Sequence, residues 1–154
     1  MKRAILLVAL VMSASGAAAP VPDMELQKAN HEYLAINIDN LSKDANNIGL
    51  TKDRIRDRVE SRLESVGLKS VETDGETPFL DVTMTVMSEA FSIDISYLTP
   101  ASFEMRGGRR FYYFTDAWQD GFTGAHGRNA SYVIDWLDEI LGRFLSQYLE
   151  ANQK

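Results

Sequence analysis

Two alternating runs of opposite parity constrain this chain more than anything else in it. Leu80, Val82, Met84 and Val86 alternate with Asp81, Thr83 and Thr85; Phe91, Ile93, Ile95 and Tyr97 alternate with Ser92, Asp94 and Ser96. A period of two marks strands with one buried face. The first apolar set falls on even numbers and the second on odd. Cross-strand partners share a face, so paired numbers sum to an odd value, and the simplest register opposes Val86 to Phe91, Met84 to Ile93, Val82 to Ile95 and Leu80 to Tyr97. The turn then falls within Met87 to Ala90, with Ser88-Glu89 at its tip, and Thr85/Ser92, Thr83/Asp94 and Asp81/Ser96 form a polar outer face.

A second hairpin follows, completing a meander over Phe79 to Trp118. Pro100 has no N–H to give a ladder and marks an edge or a bulge. Gly107-Gly108 suits a tight turn with positive φ. Phe111, Tyr112, Tyr113 and Phe114 are consecutive, so Phe111 and Tyr113 point to one face and Tyr112 and Phe114 to the other.

The remaining segments supply a cover for this sheet. Leu34, Ile36 and Ile38 alternate with polar or small residues and give a first strand; Asn40 to Gly49 reads as a loop. Thr51 can cap a helix whose stripe is Ile55, Val59, Leu63 and Val66, with Gly67 just past its end. Leu68 to Thr73 is a short second strand. Gln119 to Arg128 reads as a glycine-rich loop, and Asn129 or Ser131 caps a last helix with Val133, Leu137, Ile140, Leu141, Phe144 and Tyr148 on its apolar face, widened by Trp136 and Leu145. Glu150 to Lys154 reads as a polar tail. The order β-α-β-β-β-β-α predicts an α+β two-layer sandwich, a mainly antiparallel sheet with two helices on one face.

The first 19 residues read as a secretory signal peptide. Lys2 and Arg3 precede an apolar run from Ala4 to Met12, too short to span a bilayer, and small residues from Ser13 to Ala19 offer cleavage after Ala17, Ala18 or Ala19. Residues 20–31 are expected to be a flexible N-terminal segment and 32–150 a single α+β domain. The chain has no cysteine, which excludes disulfides and lipid attachment through an N-terminal cysteine. Without Lys2 and Arg3, 14 basic residues remain against 22 acidic, a formal charge of −8 that argues against nucleic acid as a partner. The expected location is periplasmic or secreted, with no stable membrane anchor once the signal is removed.

The signal segment, Gly49-Leu50-Thr51, Gly67-Leu68, the meander and Phe144-Leu145-Ser146-Gln147-Tyr148-Leu149 together resemble a group of small exported bacterial proteins of unassigned function. The element order is similar to the N-terminal domain of TolB-type periplasmic proteins and to curli-secretion lipoproteins, though the lipoprotein cysteine of the latter is missing here. The resemblance is one of pattern and transfers no functional residue.

His126 among Gly121, Gly124 and Gly127, with Arg128 beside it, could hold an anion at a helix N-terminus; equally, the glycines could serve a strand-to-helix connection. The stretch lacks both the Walker lysine and the dinucleotide fingerprint. Two histidines and no cysteine predict no metal, and no cofactor is implied. Asp81 and Asp94 share the hydrated outer face, and Asp116 and Asp120 bracket Trp118 in a loop. A small hydrolase would have to gather His126 with Asp116, Asp120 or Arg128. Arg54, Arg58 and Arg62 could form a docking stripe, but Asp53, Asp57, Glu60 and Glu64 flank it, and pairs such as Arg56 with Glu60 would make it an ordinary solvated helix. Asn40-Leu41-Ser42 and Asn129-Ala130-Ser131 match the glycosylation sequon, and Asn129 is better explained as a cap.

The sequence therefore points to a non-enzymatic exported binding or envelope-assembly module, with a small secreted hydrolase or an anion-binding protein using Gly121 to Arg128 as the alternative. The expected contact residues are Tyr112, Tyr113, Trp118, Arg109 and Arg110; the alternative anion set is Gly124, His126, Gly127 and Arg128. An envelope protein or a second copy is the expected partner. If Pro20 to Asn30 or the glycine-rich loop covers the second hairpin, its aromatics are core instead.

Overall fold

A computed structural model of the protein describes residues 32–39 and 41–152. The signal segment, its cleavage site and the segment at 20–31 lie outside the described residues. The elements are β1 (Tyr33–Asp39), α1 (Lys43–Asn47), α2 (Lys52–Glu64), β2 (Lys69–Val71), β3 (Phe79–Val86), β4 (Ala90–Glu104), β5 (Arg110–Ala125) and α3 (Ala130–Asn152). The fold is an α+β sandwich built on one five-stranded sheet of order β2-β1-β3-β4-β5.

The first hairpin has the simplest register that parity allows. Val86 faces Phe91, Met84 Ile93, Val82 Ile95 and Leu80 Tyr97, and Met87 N–H donates to Ala90 O across the turn at 2.8 Å. All eight of those paired apolar side chains are buried. β1 lies parallel between β2 and β3, with Ile36 beside Leu80 and Ile38 beside Val82. Alternation alone does not report strand direction, so this parallel placement was not legible in the sequence.

Both expected helices close over that apolar face. Thr51 Oγ1 accepts from Arg54 N–H and starts α2, which buries Ile55, Val59 and Leu63 before ending at Gly67, φ 83°. α3 buries Val133, Leu137, Ile140, Leu141, Phe144, Leu145 and Tyr148. The two helices are joined where Arg58 grips the Asp138 carboxylate, with Nε 2.7 and 2.9 Å from its two oxygens.

Three sequence expectations need correction. Part of the stretch from Asn40 to Gly49 is helical: α1 buries Ala45, and Ser42 before it exchanges hydrogen bonds with the backbone of Val86. The tail from Glu150 continues α3 as far as Asn152, whose Nδ2 donates to Tyr148 O. Most of the supposed glycine-rich loop is strand, because β5 runs unbroken to Ala125 and pairs along its length with β4. Its glycines are there for close packing: a Cβ on Gly121 would stand 2.7 Å from Ile93 O, and one on Gly124 2.7 Å from the Phe122 ring.

The length of β4 and β5 shapes the molecule. β3 begins at Phe79 opposite Leu98, so β4 beyond Leu98 has only β5 beside it. α3 has 23 residues and β5 has 16, or about 34 Å of helix against about 53 Å of strand. Helix and strand meet at the His126 turn, so the helix runs out before the hairpin does. Residues 99–115 are thus a two-stranded arm extending past the body.

Candidate functional site

The arm is the main candidate. A register shift between Tyr97 and Leu98 inserts Ala117 as an extra residue, moving the pairing from Tyr97/Trp118 to Leu98/Asp116. Such a bulge bends the strand and changes which parity faces which side. Beyond it, Ala101 pairs with Tyr113 and Phe103 with Phe111, on the side of the sheet that carries the helices; Ser102/Tyr112 and Glu104/Arg110 take the opposite side. Pro100 sits where the outer edge of β4 is already open, as its missing N–H requires.

The rings on the helix side support one another. Phe103 and Phe111 stack at 5.4 Å between centroids, and Tyr113 meets Phe103 edge-on at 5.9 Å. On the other side Phe114 packs edge-on against Phe79 at 5.0 Å, anchoring the base of the arm. Nevertheless the arm stays open to solvent: Phe103 is 51% exposed, Met105 48%, Phe111 42%, Tyr112 77% and Tyr113 48%. The turn has Gly107 at φ 104° and Gly108 at φ 75°, and carries Arg106, Arg109 and Arg110, all exposed.

Of the expected contact residues, Tyr112, Tyr113, Arg109 and Arg110 fall together on this arm. Trp118 does not join them. It is half-buried at the bulge, packed on Phe144 at 5.2 Å and donating from Nε1 to Gln147 Oε1 at 2.8 Å, so it ties β5 to α3. Sequence reasoning passed over Met105, which only the turn geometry brings to the surface.

The alternative set lies at the opposite end of the molecule. His126 is only 3% exposed, and both ring nitrogens are engaged: Nδ1 accepts from Arg128 N–H at 2.9 Å and Nε2 donates to Met87 O at 2.9 Å. The ring thereby fastens the β5–α3 turn to the β3–β4 turn. Gly127 and Arg128 both have left-handed φ, 53° and 60°, in the same turn, while Gly124 is within β5. Asn129 caps α3, its Oδ1 accepting from Ser131 N–H at 2.9 Å.

The hydrolase constellation does not assemble. Asp116 lies at the bulge and Asp120 accepts from Arg143 Nε at 2.6 Å, raising that guanidinium above its usual range. Ten residues of mostly extended chain separate Asp116 from His126, roughly 33 Å. Asp81 accepts from Asn37 Nδ2 and Asp94 from Ser92 Oγ, each held by its own neighbour on the open sheet face. The arginine stripe is likewise occupied: Arg58 binds Asp138, Arg62 approaches the same carboxylate, and Arg54 donates to Gly49 O. Glu60 on the same helix accepts from Ser70 Oγ of β2. Among the described residues no group of three or more His, Asp or Glu could hold a metal ion.

No protein-family model matches the chain, and neither does any curated protein. Among solved structures the chain is similar to the crystal structure of the rare lipoprotein B from Shewanella oneidensis, at 11% identity and a TM-score of 0.24, covering 77% of this chain and 87% of that one. A likeness that remote carries no argument about what this protein binds. Among the described residues no helix is long and apolar enough to cross a membrane.

Proposed function

We propose that the protein is an exported, non-enzymatic binding or envelope-assembly module whose contact surface is the β4–β5 arm. The observation that carries this is the set of five exposed large apolar residues on one projecting arm, next to three exposed arginines. Aromatic side chains with arginine are what interface centres are built from. The layout of the first 19 residues, and the resemblance to small exported bacterial proteins, support export to the periplasm or beyond.

Two measurements on the cell envelope test this. Intact mass of the exported protein should correspond to a chain starting after Ala17, Ala18 or Ala19; a chain that retains Met1 to Met12 contradicts export with cleavage. A photo-crosslinking amino acid at position 112 should then give an adduct in the envelope, whereas one at Ser92, on the polar sheet face, should not. Equal labelling at both positions, or none at 112, removes the arm as the contact surface.

A further inference from the structure

The charge of this chain is unevenly placed. Residues 99–115 hold Arg106, Arg109 and Arg110 against Glu104 alone, a net of +2 on a protein whose whole formal charge is −6. Glu104 lies directly across from Arg110 in the ladder, so Arg106 and Arg109 at the turn have no acidic residue opposite them in the register. Acidic groups recur at the base: Glu76 borders a hollow of about 670 Å³ with Gly75, Pro100, Tyr112, Tyr113 and Phe114, and Asp74 and Glu72 lie in the same connection. Charge therefore changes sign from base to tip. The turn lies about 20 Å beyond the end of β3, so the arginines gather at the far end of the arm.

The apolar groups of the arm are also distributed in an informative way. Phe103, Phe111 and Tyr113 occupy the helix side, Tyr112 the opposite side, and Met105 the turn. A protein groove seated on one face would leave Tyr112, the most exposed of them at 77%, in water. A lipid interface surrounds whatever enters it. Tyrosine and phenylalanine settle at headgroup depth, and arginine keeps its charge at the phosphates while its stem lies along apolar surface. The backbone fits the same depth: both outer edges of the arm lack strand neighbours, which the hydrated headgroup layer tolerates and the hydrocarbon core does not. β1 begins at this end too, since Ala35 pairs with Phe79 at the strand end from which the arm projects.

We infer that the β4–β5 arm docks reversibly on an anionic phospholipid surface, with Arg106, Arg109 and Arg110 at the phosphates and Phe103, Met105, Phe111, Tyr112 and Tyr113 in the interface. This deepens the arm reading above by naming its partner, and it adds peripheral contact where the sequence alone indicated no stable anchor. Three arginines and a few rings bind weakly and reversibly, as a single shallow element does.

Sedimentation of the signal-free protein with large vesicles tests this. Phosphatidylcholine vesicles with 30% phosphatidylglycerol should bring the protein down at low salt, phosphatidylcholine alone should not, and 0.5 M NaCl should release it. Arg106→Ala with Arg109→Ala should weaken binding at least tenfold, at about 1 kcal/mol per basic residue. Phe111→Ser with Tyr112→Ser should weaken it comparably at unchanged far-UV circular dichroism. Binding that neither pair of substitutions alters would overturn both the lipid inference and the arm as contact surface. No binding to anionic vesicles, while crosslinks at position 112 still form to an envelope protein, would overturn the lipid inference alone.

Discussion

Phe103 and Phe111 stand directly opposite one another in the β4–β5 ladder, their rings 5.4 Å apart and 13° from parallel, beyond the reach of the helix layer. The same cross-strand geometry inside the body, at Ile93 and Met84, puts both partners out of solvent. In the arm it leaves both partners exposed. The difference is the cover: α3 is shorter than the strands it lies on.

Gly121→Ala should destabilise the protein. The new methyl would stand 2.6 Å from Asp94 Oδ1 and 2.7 Å from Ile93 O, and the carbonyl is fixed in the ladder. A loss of about 1–3 kcal/mol is expected in urea unfolding, the usual cost of forcing extra volume into a packed site. An unchanged midpoint would mean that β4 and β5 are not this close.

Tyr97 is fully buried, and its hydroxyl lacks a hydrogen-bond partner among the described residues. Burial, with Tyr148 nearby, pushes the phenol far above its ordinary pKa. Tyr97→Phe should therefore be neutral or stabilising by up to about 1 kcal/mol, since it removes a desolvated hydroxyl and keeps the ring packed on Phe144 and Tyr148. A clear loss of stability would reveal a partner for the hydroxyl.

Asp138→Ala should remove the ion pair between α2 and α3 at the point where Arg58 and Arg62 converge. The Asp138 hydrogen bonds raise the Arg58 guanidinium above its usual range, but Arg58 is nearly half exposed and water screens the pair. About 0.5–1 kcal/mol is expected, shrinking as salt is added. A loss independent of salt would point to packing rather than charge.

Asp74 is held below its ordinary pKa of 3.8 by the backbone N–H groups of Glu76 and Thr77 and by the Thr77 hydroxyl. A lowered folded-state value means that this contribution to stability is present above about 3.8 and is lost as the pH falls below it. Carboxyl chemical shifts should give a midpoint below 3.8 that moves upward in Thr77→Ala. A midpoint at or above 3.8 would show that the turn does not bind its carboxylate.

Much of this fold could be read from residue patterns because its elements follow local periods. The parity of Leu80–Val86 against Phe91–Tyr97 with a short turn gives the register, and Thr51 and Gly67 bracket a helix. What was missed depends on contacts between distant segments. Gly121 and Gly124 read as loop because glycine is flexible, yet in the sheet they answer to Ile93 and Phe91 across the ladder. Trp118 read as a surface aromatic because its bond to Gln147 spans 29 residues. The exposed arm was half legible: alternation separates Tyr112 from Tyr113, but only the relative lengths of α3 and β5 leave both in solvent.

If the arm serves contact rather than folding, the double variant Phe111→Ala, Tyr112→Ala separates the two roles. Thermal unfolding and capture by anionic vesicles would be measured on the same preparation. The predicted result is a Tm within about 2 °C of the parent, as befits side chains that cover no core, with capture reduced at least tenfold. A Tm lowered by many degrees, or capture retained in full, would contradict it.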